Sequence, residues 1–221
     1  MCNGADHDGD RLDPLAEDEY VLDTPVVRAF VAGVERQIEA AASPAEACAA
    51  IGPAFDDLLA RRDWLPEEFQ RPVPDSGMGG GIGQWLLYRA ADRSRCLFSL
   101  VVPPGSRTPI HDHLAWGLVG LYRGTQDEEI YRVGDGVIEL ARRRPLAPGD
   151  HYVLLPPLDD VHCVRTTSTL TSVSIHLLAN DTGCVRRHTF DEHTGEATPF
   201  LSGYANAHCR PEQALAVAER P

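Results

Sequence analysis

The sequence predicts a mainly β fold, a sandwich or small barrel, with its helices gathered at the N-terminal end. Three observations carry this. Beyond Gln84, short β-type stretches recur between turn signals such as Gly134-Asp135-Gly136 and Pro148-Gly149-Asp150. No long helical pattern separates them, which disfavours parallel crossover units. Helical spacing is confined to residues 23–83.

Residues 1–22 form a polar, acidic lead expected to be flexible. Thr24-Pro25 reads as an N-cap and first turn, and Val27, Phe30, Val31 and Val34 then recur on one helical face. A second helix starts near Ser43-Pro44 and carries Ala45, Cys48, Ile51, Phe55, Leu58 and Leu59 in similar spacing. Leu65-Pro66-Glu67-Glu68 opens a short third helix. Pro72, Pro74 and the glycine run from Met78 to Gly83 then break regular structure. Strands are expected at Trp85–Arg89, Cys96–Val102, Gly117–Tyr122, Glu128–Val133, Val137–Ala141, His151–Leu155, His162–Thr166, Ser172–Leu178 and Val185–Phe190. The implied organisation is a helical annex over residues 23–83, a barrel over 84–200 and a tail over 201–221.

The chain has 221 residues, 43% of them apolar, enough for one domain with a sizeable core. Its formal net charge of −13 argues against nucleic acid or an anionic membrane surface as a partner, because either needs a basic face. Six scattered cysteines include no C-x-x-C pair, and Met1–Asp10 is acidic where a signal peptide is basic and then apolar. No apolar run approaches the roughly 20 residues that span a bilayer. These features point to the cytoplasm, with free thiols.

The chemistry concentrates in Gly105-Ser-Arg-Thr-Pro-Ile-His111-Asp-His113-Leu-Ala-Trp116-Gly117, continuing to Gly124. Alternate residues of a strand share a face, so His111 and His113 can offer two imidazoles to one ion. A third histidine, His162, opens a later strand after Pro148-Gly149-Asp150. This combination resembles the paired motifs of the cupin superfamily, Gly-x5-His-x-His-x3-Glu-x6-Gly followed by a Pro-Gly turn and a histidine. The resemblance implies a double-stranded β-helix, or jelly-roll, barrel. Gly117 stands where the usual cupin glutamate ligand would be. A site of three neutral imidazoles leaves a divalent ion its full charge, which favours an added anion such as a thiolate or carboxylate. Iron and zinc both accept three histidines.

Thr108–His113, Trp116–Gly124 and Ser172–His176 resemble the cysteine dioxygenase family of cupins, most closely its 3-mercaptopropionate dioxygenase branch. The likeness covers roughly residues 84–190. It implies Fe(II) on His111, His113 and His162, a soluble enzyme taking a small thiol or carboxylate substrate and O2, and a sulfinate product. Ser174 and His176 match the family's Ser-x-His hydrogen-bond pair, and Arg187 matches the arginine that binds the substrate carboxylate. Leu178 replaces the family tyrosine, whose place Tyr122 or water can take if the substrate is unchanged. With Gly117 at the family's cysteine position, no cysteine–tyrosine crosslink can form. Trp116 is expected to pack by the metal pocket, and Tyr204 and Phe200 to cover the barrel mouth. Arg186 is the weaker arginine candidate, with Arg89 nearby. His151, His188, His193 and His208 are expected outside the site, and Cys163 in the core. Two other functions stay open: a cupin oxygenase acting on a different small acid, and a non-catalytic metal- or ligand-binding cupin. The oligomeric state is not set by the sequence.

Overall fold

The computed structural model describes residues 12–209 except Asp75 and Asp135; residues 1–11 of the acidic lead and 210–221 of the tail lie outside the described residues. Two helices lead. Helix α1 (Pro25–Ala40) starts where the Thr24 hydroxyl accepts the Val27 N–H, and α2 (Pro44–Ala60) starts where the Ser43 hydroxyl accepts that of Glu46. Each cap precedes a proline whose missing N–H leaves no bond unmade in a first turn. The expected third helix is a single 3-10 turn, Glu67–Gln70.

Twelve strands follow the chain: β1 (Glu19–Tyr20), β2 (Gly83–Arg89), β3 (Cys96–Val102), β4 (Ile110–His111), β5 (Gly117–Arg123), β6 (Gln126–Gly134), β7 (Val137–Leu146), β8 (His151–Leu154), β9 (His162–Thr166), β10 (Ser172–Leu178), β11 (Arg187–Phe190) and β12 (Ala197–Phe200). They build two antiparallel six-stranded sheets, ordered β1-β2-β3-β10-β5-β8 and β12-β11-β4-β9-β6-β7. This is the mainly β double-stranded β-helix that the motifs imply, with the helical segment outside it. Within residues 12–22, Glu19 and Tyr20 pair with Arg89 and Tyr88 as an edge strand, and Asp18 accepts the Tyr88 hydroxyl at 2.9 Å.

Two apolar layers hold the fold. The first lies between the helices and the outer face of β2, β3, β10 and β5, and includes Phe55, Leu59, Leu97, Leu118, Tyr122 and Ile175. Helix α2 sits close because Gly120 has no side chain. A Cβ there would come within 2.4 Å of Leu59 Cδ1 and 2.8 Å of Phe55 Cε1. The second layer fills the barrel and includes Leu86, Phe98, Val119, Leu121, Leu154 and Leu178. Alternate residues of β3 and β10 serve the two layers, which is why both strands are buried throughout.

The expectation of free thiols is corrected. Cys184 and Cys209 form a disulfide across a sequence separation of 25. Spacing hides the pair because the fold supplies the proximity. The tail runs back along β2, where Ala205 N–H donates to Gln84 O and the Asn206 side chain bonds both backbone groups of Leu86. Cys48, Cys96 and Cys163 are free and buried, while Cys2 lies outside the described residues. Among the described residues no helix is long and apolar enough to cross a membrane.

Candidate metal centre

His111 ends β4 and lies directly opposite His162, the first residue of β9. His113 is expected on the same strand but sits just beyond it, and its position is fixed differently. The buried Asp160 carboxylate accepts the N–H groups of His113 and Leu114 at 3.0 and 3.1 Å, and Asn180 donates to the His113 carbonyl at 3.1 Å. These bonds fix the His113 backbone just before Leu114, which takes a left-handed φ of +54°. The three ring centroids are 4.8 to 4.9 Å apart. One ring nitrogen from each lies within 4.8 Å of the others. Three buried imidazoles so placed can hold a metal ion.

The remaining nitrogens are oriented by neighbours. His111 Nδ1 lies 2.9 Å from Pro109 O, so its Nε2 is left for the cavity. His162 Nδ1 lies 2.7 Å from Glu128 Oε1, and its Nε2 is buried without a partner. Burial and mutual repulsion push the pKa values of His111 and His113 well below the usual histidine range, so both are neutral donors at neutral pH. Glu128 is fully buried. Burial would raise its pKa, but the bond to His162, with Arg144 Nη1 3.2 Å from its second oxygen, carries it below the usual value. A carboxylate behind a ligating imidazole fixes its tautomer and strengthens it as a donor. The sequence reading missed Glu128 inside an acidic run. Its signal was parity, since Gln126, Glu128 and Ile130 alternate inward on β6.

Gly117 cannot be a disguised acidic position. A Cβ there would fall 2.0 Å from Leu177 O, so this backbone admits no side chain. Around the histidines lies a cavity of about 10 Å3, the space of roughly one water. Its polar wall adds Thr108, Gln84, His176 and Arg187, and its apolar wall is Phe98, Leu100, Val164 and Met78. The expected Ser174–His176 pair is present: Ser174 Oγ lies 2.9 Å from His176 Nε2, and the ring stacks on Phe98 at 4.6 Å. Burial drives the His176 pKa down to about 3. The amide Nε2 of Gln84, also missed from sequence, is buried and unpartnered.

Arg187 is 2% exposed and lines the same cavity. Three of its five N–H donors go to Asp112 O at 2.7 Å, Ser202 Oγ at 2.8 Å and Thr182 O at 3.4 Å. One N–H on each of Nη1 and Nη2 remains, and these partners include no carboxylate. Burial lowers its pKa to about 10, with Asp112 opposing the shift, so it stays charged.

Other expected positions fall elsewhere. Trp116 shares parity with Leu118 and Tyr122 and packs with them under the helices, so it does not line the metal pocket. Tyr122 likewise packs edge-to-face with Trp64 under the helices and cannot replace a group at Leu178, which is buried in the barrel interior. Arg89 pairs with Glu19 and Asp181, and Arg186 is exposed. His188 binds Asp112 at 2.8 Å and His151 binds Asp56 at 2.6 Å, while His193 and His208 are exposed. Cys163 is buried beside Glu129. Tyr204 packs against Phe98, and Phe200 lies under the Arg187 guanidinium.

No protein-family model matches the chain. Solved structures similar to it include a protein with a double-stranded β-helix domain from Klebsiella pneumoniae, at 14% identity over 65% of this chain and 93% of that one, with a TM-score of 0.40. A DMSP lyase from Ruegeria pomeroyi is 21% identical over 72% of this chain and 70% of its own, with a TM-score of 0.38. An oxalate decarboxylase from Lactobacillus farciminis is 15% identical over 41% of this chain, with a TM-score of 0.34, and the match spans only 25% of that enzyme. Likenesses this remote carry no chemistry across, and the barrel stands on its own strand order.

Proposed function

We propose that the protein is an iron-dependent thiol dioxygenase that converts a small mercapto acid and O2 to the sulfinate. The carrying observation is the pairing, in one cavity, of three buried neutral imidazoles with a buried arginine that has two free N–H donors. A site with three neutral ligands and a fixed cation suits a dianion, thiolate at one end and carboxylate at the other. When bound on His111, His113 and His162, ferrous iron supplies the redox chemistry and lowers the pKa of the thiol. Both oxygen atoms end on sulfur, which loses four electrons as O2 is reduced, and the thiol proton leaves to solvent. Arg187 holds the carboxylate through its remaining fork. Phe98, Leu100 and Val164 exclude water from the histidines. The Ser174–His176 pair offers a preset hydrogen bond at the cavity wall.

Metal analysis combined with oxygen uptake tests the reading. Iron-reconstituted protein is expected to consume O2 and 3-mercaptopropionate or cysteine in equal amounts, with sulfinate seen by mass spectrometry. Cysteamine, which lacks the carboxylate, should be a poorer substrate, and Arg187→Met should erase that discrimination. Zinc alone in the purified protein, with no turnover of any thiol after iron reconstitution, overturns the proposal in favour of a binding protein. A cytoplasmic location belongs to the same proposal, and the Cys184–Cys209 bridge is the feature that speaks against it.

A further inference from the structure

Beside the histidine cavity lies a second and larger one, about 160 Å3 against about 10 Å3. The two share Met78 and Gln84 as lining residues. The inner space holds roughly one water, and the outer one is about sixteen times larger. A mercapto acid anchored at the histidines therefore has to grow outward, past Met78. That side chain is half-buried, unbranched and able to repack. The outer walls are formed by Val73, Ser76, Ser202 and Tyr204 together with the shared pair. None of these side chains is charged. The Tyr204 hydroxyl is already committed to Asp181 at 2.8 Å and the Gly183 N–H at 3.0 Å. Gln84, 4% exposed, has a buried amide Nε2 without a partner, a donor that lacks only an acceptor. Ser202 links the two spaces, since it lines the outer one and accepts at 2.8 Å from Arg187, which lines the inner one.

We infer that the outer cavity is a second substrate compartment, which takes an uncharged, acceptor-bearing tail of a mercapto acid whose thiol and carboxylate are held at the histidines and Arg187. The assignment rests on the proposed function for its anchoring groups. A second charge in the tail would enter a chamber without a counter-ion, which disfavours it. An amide or ester carbonyl would satisfy Gln84 Nε2, and a buried donor left unpaired is a recurrent source of selectivity.

N-acetylcysteine is the probe for a neutral carbonyl tail, cysteine for an ammonium in its place and mercaptosuccinate for a second carboxylate. Binding to the iron-loaded protein is measured by calorimetry without oxygen, and turnover by O2 uptake. N-acetylcysteine is expected to bind about tenfold or more tighter than either comparison compound. Gly77→Phe should plug the chamber. A Cβ at Gly77 meets only Ser202 O at 3.6 Å and Leu201 O at 4.0 Å, ordinary contacts, so the backbone accepts a side chain. This variant, and independently Val73→Phe, should remove the preference for N-acetylcysteine while leaving cysteine binding and iron content unchanged. Gln84→Leu should weaken N-acetylcysteine more than cysteine. Equal binding of the three compounds by the wild type, or equal loss for all of them in both plugged variants, overturns the inference. If N-acetylcysteine binds with this selectivity but no thiol consumes O2, the dioxygenase reading falls and the compartment stands.

Discussion

The two sheets of the barrel are built from the same number of strands and held by different physics. In the first, β3 and β10 are buried along their whole length, with helices on one side and the barrel interior on the other. Its stability is apolar area removed from water, at roughly 25 cal/mol per Å2. In the second, β7 is exposed over most of its length, and beside the apolar Ile110, Ile130, Leu146 and Val164 it buries a polar set: Gln126, Glu128, Glu129, His162 and Thr166. Those groups repay their burial through hydrogen bonds: Glu128 to His162, Glu129 to Tyr131 and Arg143, Gln126 to Ser172, and Thr166 to Ser172 and Val102 across the barrel. The first sheet is scaffold and the second carries most of the site, so damage to each should show in a different measurement.

The largest effect is expected at the histidines. His111→Ala removes one of three ligands, and iron binding and O2 uptake should both be abolished while the fold persists. Retained iron with full uptake in this variant would break the assignment of the second sheet as the metal-bearing one. The mirror experiment is Phe55→Ala in the layer beneath the helices, where the ring is 0% exposed. A loss of about 3–5 kcal/mol in unfolding free energy is expected from the cavity left behind. Iron affinity per folded molecule should stay unchanged. A matching drop in affinity would show that the two regions are not separable.

Legibility in the sequence divides along the same line. The strands Cys96–Val102, His162–Thr166 and Ser172–Leu178 stand where the sequence places them, because turn residues bracket strongly apolar or alternating runs. Val137–Ala141 extends to Leu146, since Arg142, Arg143 and Arg144 look like loop but pair through their backbone with β6. The short strands Glu19–Tyr20 and Ala197–Phe200 exist only by virtue of their neighbours, and no local pattern marks them, whereas Ile110–His111 is marked by its histidine alternation but ends before His113. The three imidazoles were legible as a motif. Their supports were not, because Asp160 lies 47 residues from His113 and Glu128 lies 34 from His162. Trp116 was misplaced because its parity with Leu118 and Tyr122 turns it to the helices.

A smaller effect sharpens the contrast within β6 itself. Glu128 and Glu129 are adjacent carboxylates; the first faces His162, and the second binds Tyr131, Arg143 and Cys163 on the other side. Glu128→Gln should weaken metal binding about 10- to 100-fold, the usual consequence of losing a carboxylate behind a ligating histidine. The visible spectrum of the cobalt-substituted protein should shift with it. Glu129→Gln should leave both readouts alone, and Glu128→Asp should recover part of the affinity. Equal losses from the two glutamine variants would reduce Glu128 to a general packing role.

The smallest effect separates, by pH, the two faces of the first sheet: the barrel face of β10, which carries His176, and the face packed on the helices, where Phe55 lies. The unfolded chain binds a proton at His176 near pH 6.5, whereas burial holds the folded residue neutral down to about 3. Folding stability from this residue is therefore complete above about pH 6.5 and declines as pH falls toward 3, by at most about 1.4 kcal/mol per pH unit. His111 and His113 are shifted in the same direction and steepen the decline in metal-free protein. Denaturant titrations of that protein between about pH 7.5 and about pH 4.5 should show a shallower acid slope for His176→Gln, whose amide never takes up the proton. Phe55→Ala should lower the whole curve without changing its slope. An unchanged slope in His176→Gln would mean that this imidazole is reached by water and protonates in the folded protein, and the interior face of β10 would then be wetter than its packing against Phe98 implies.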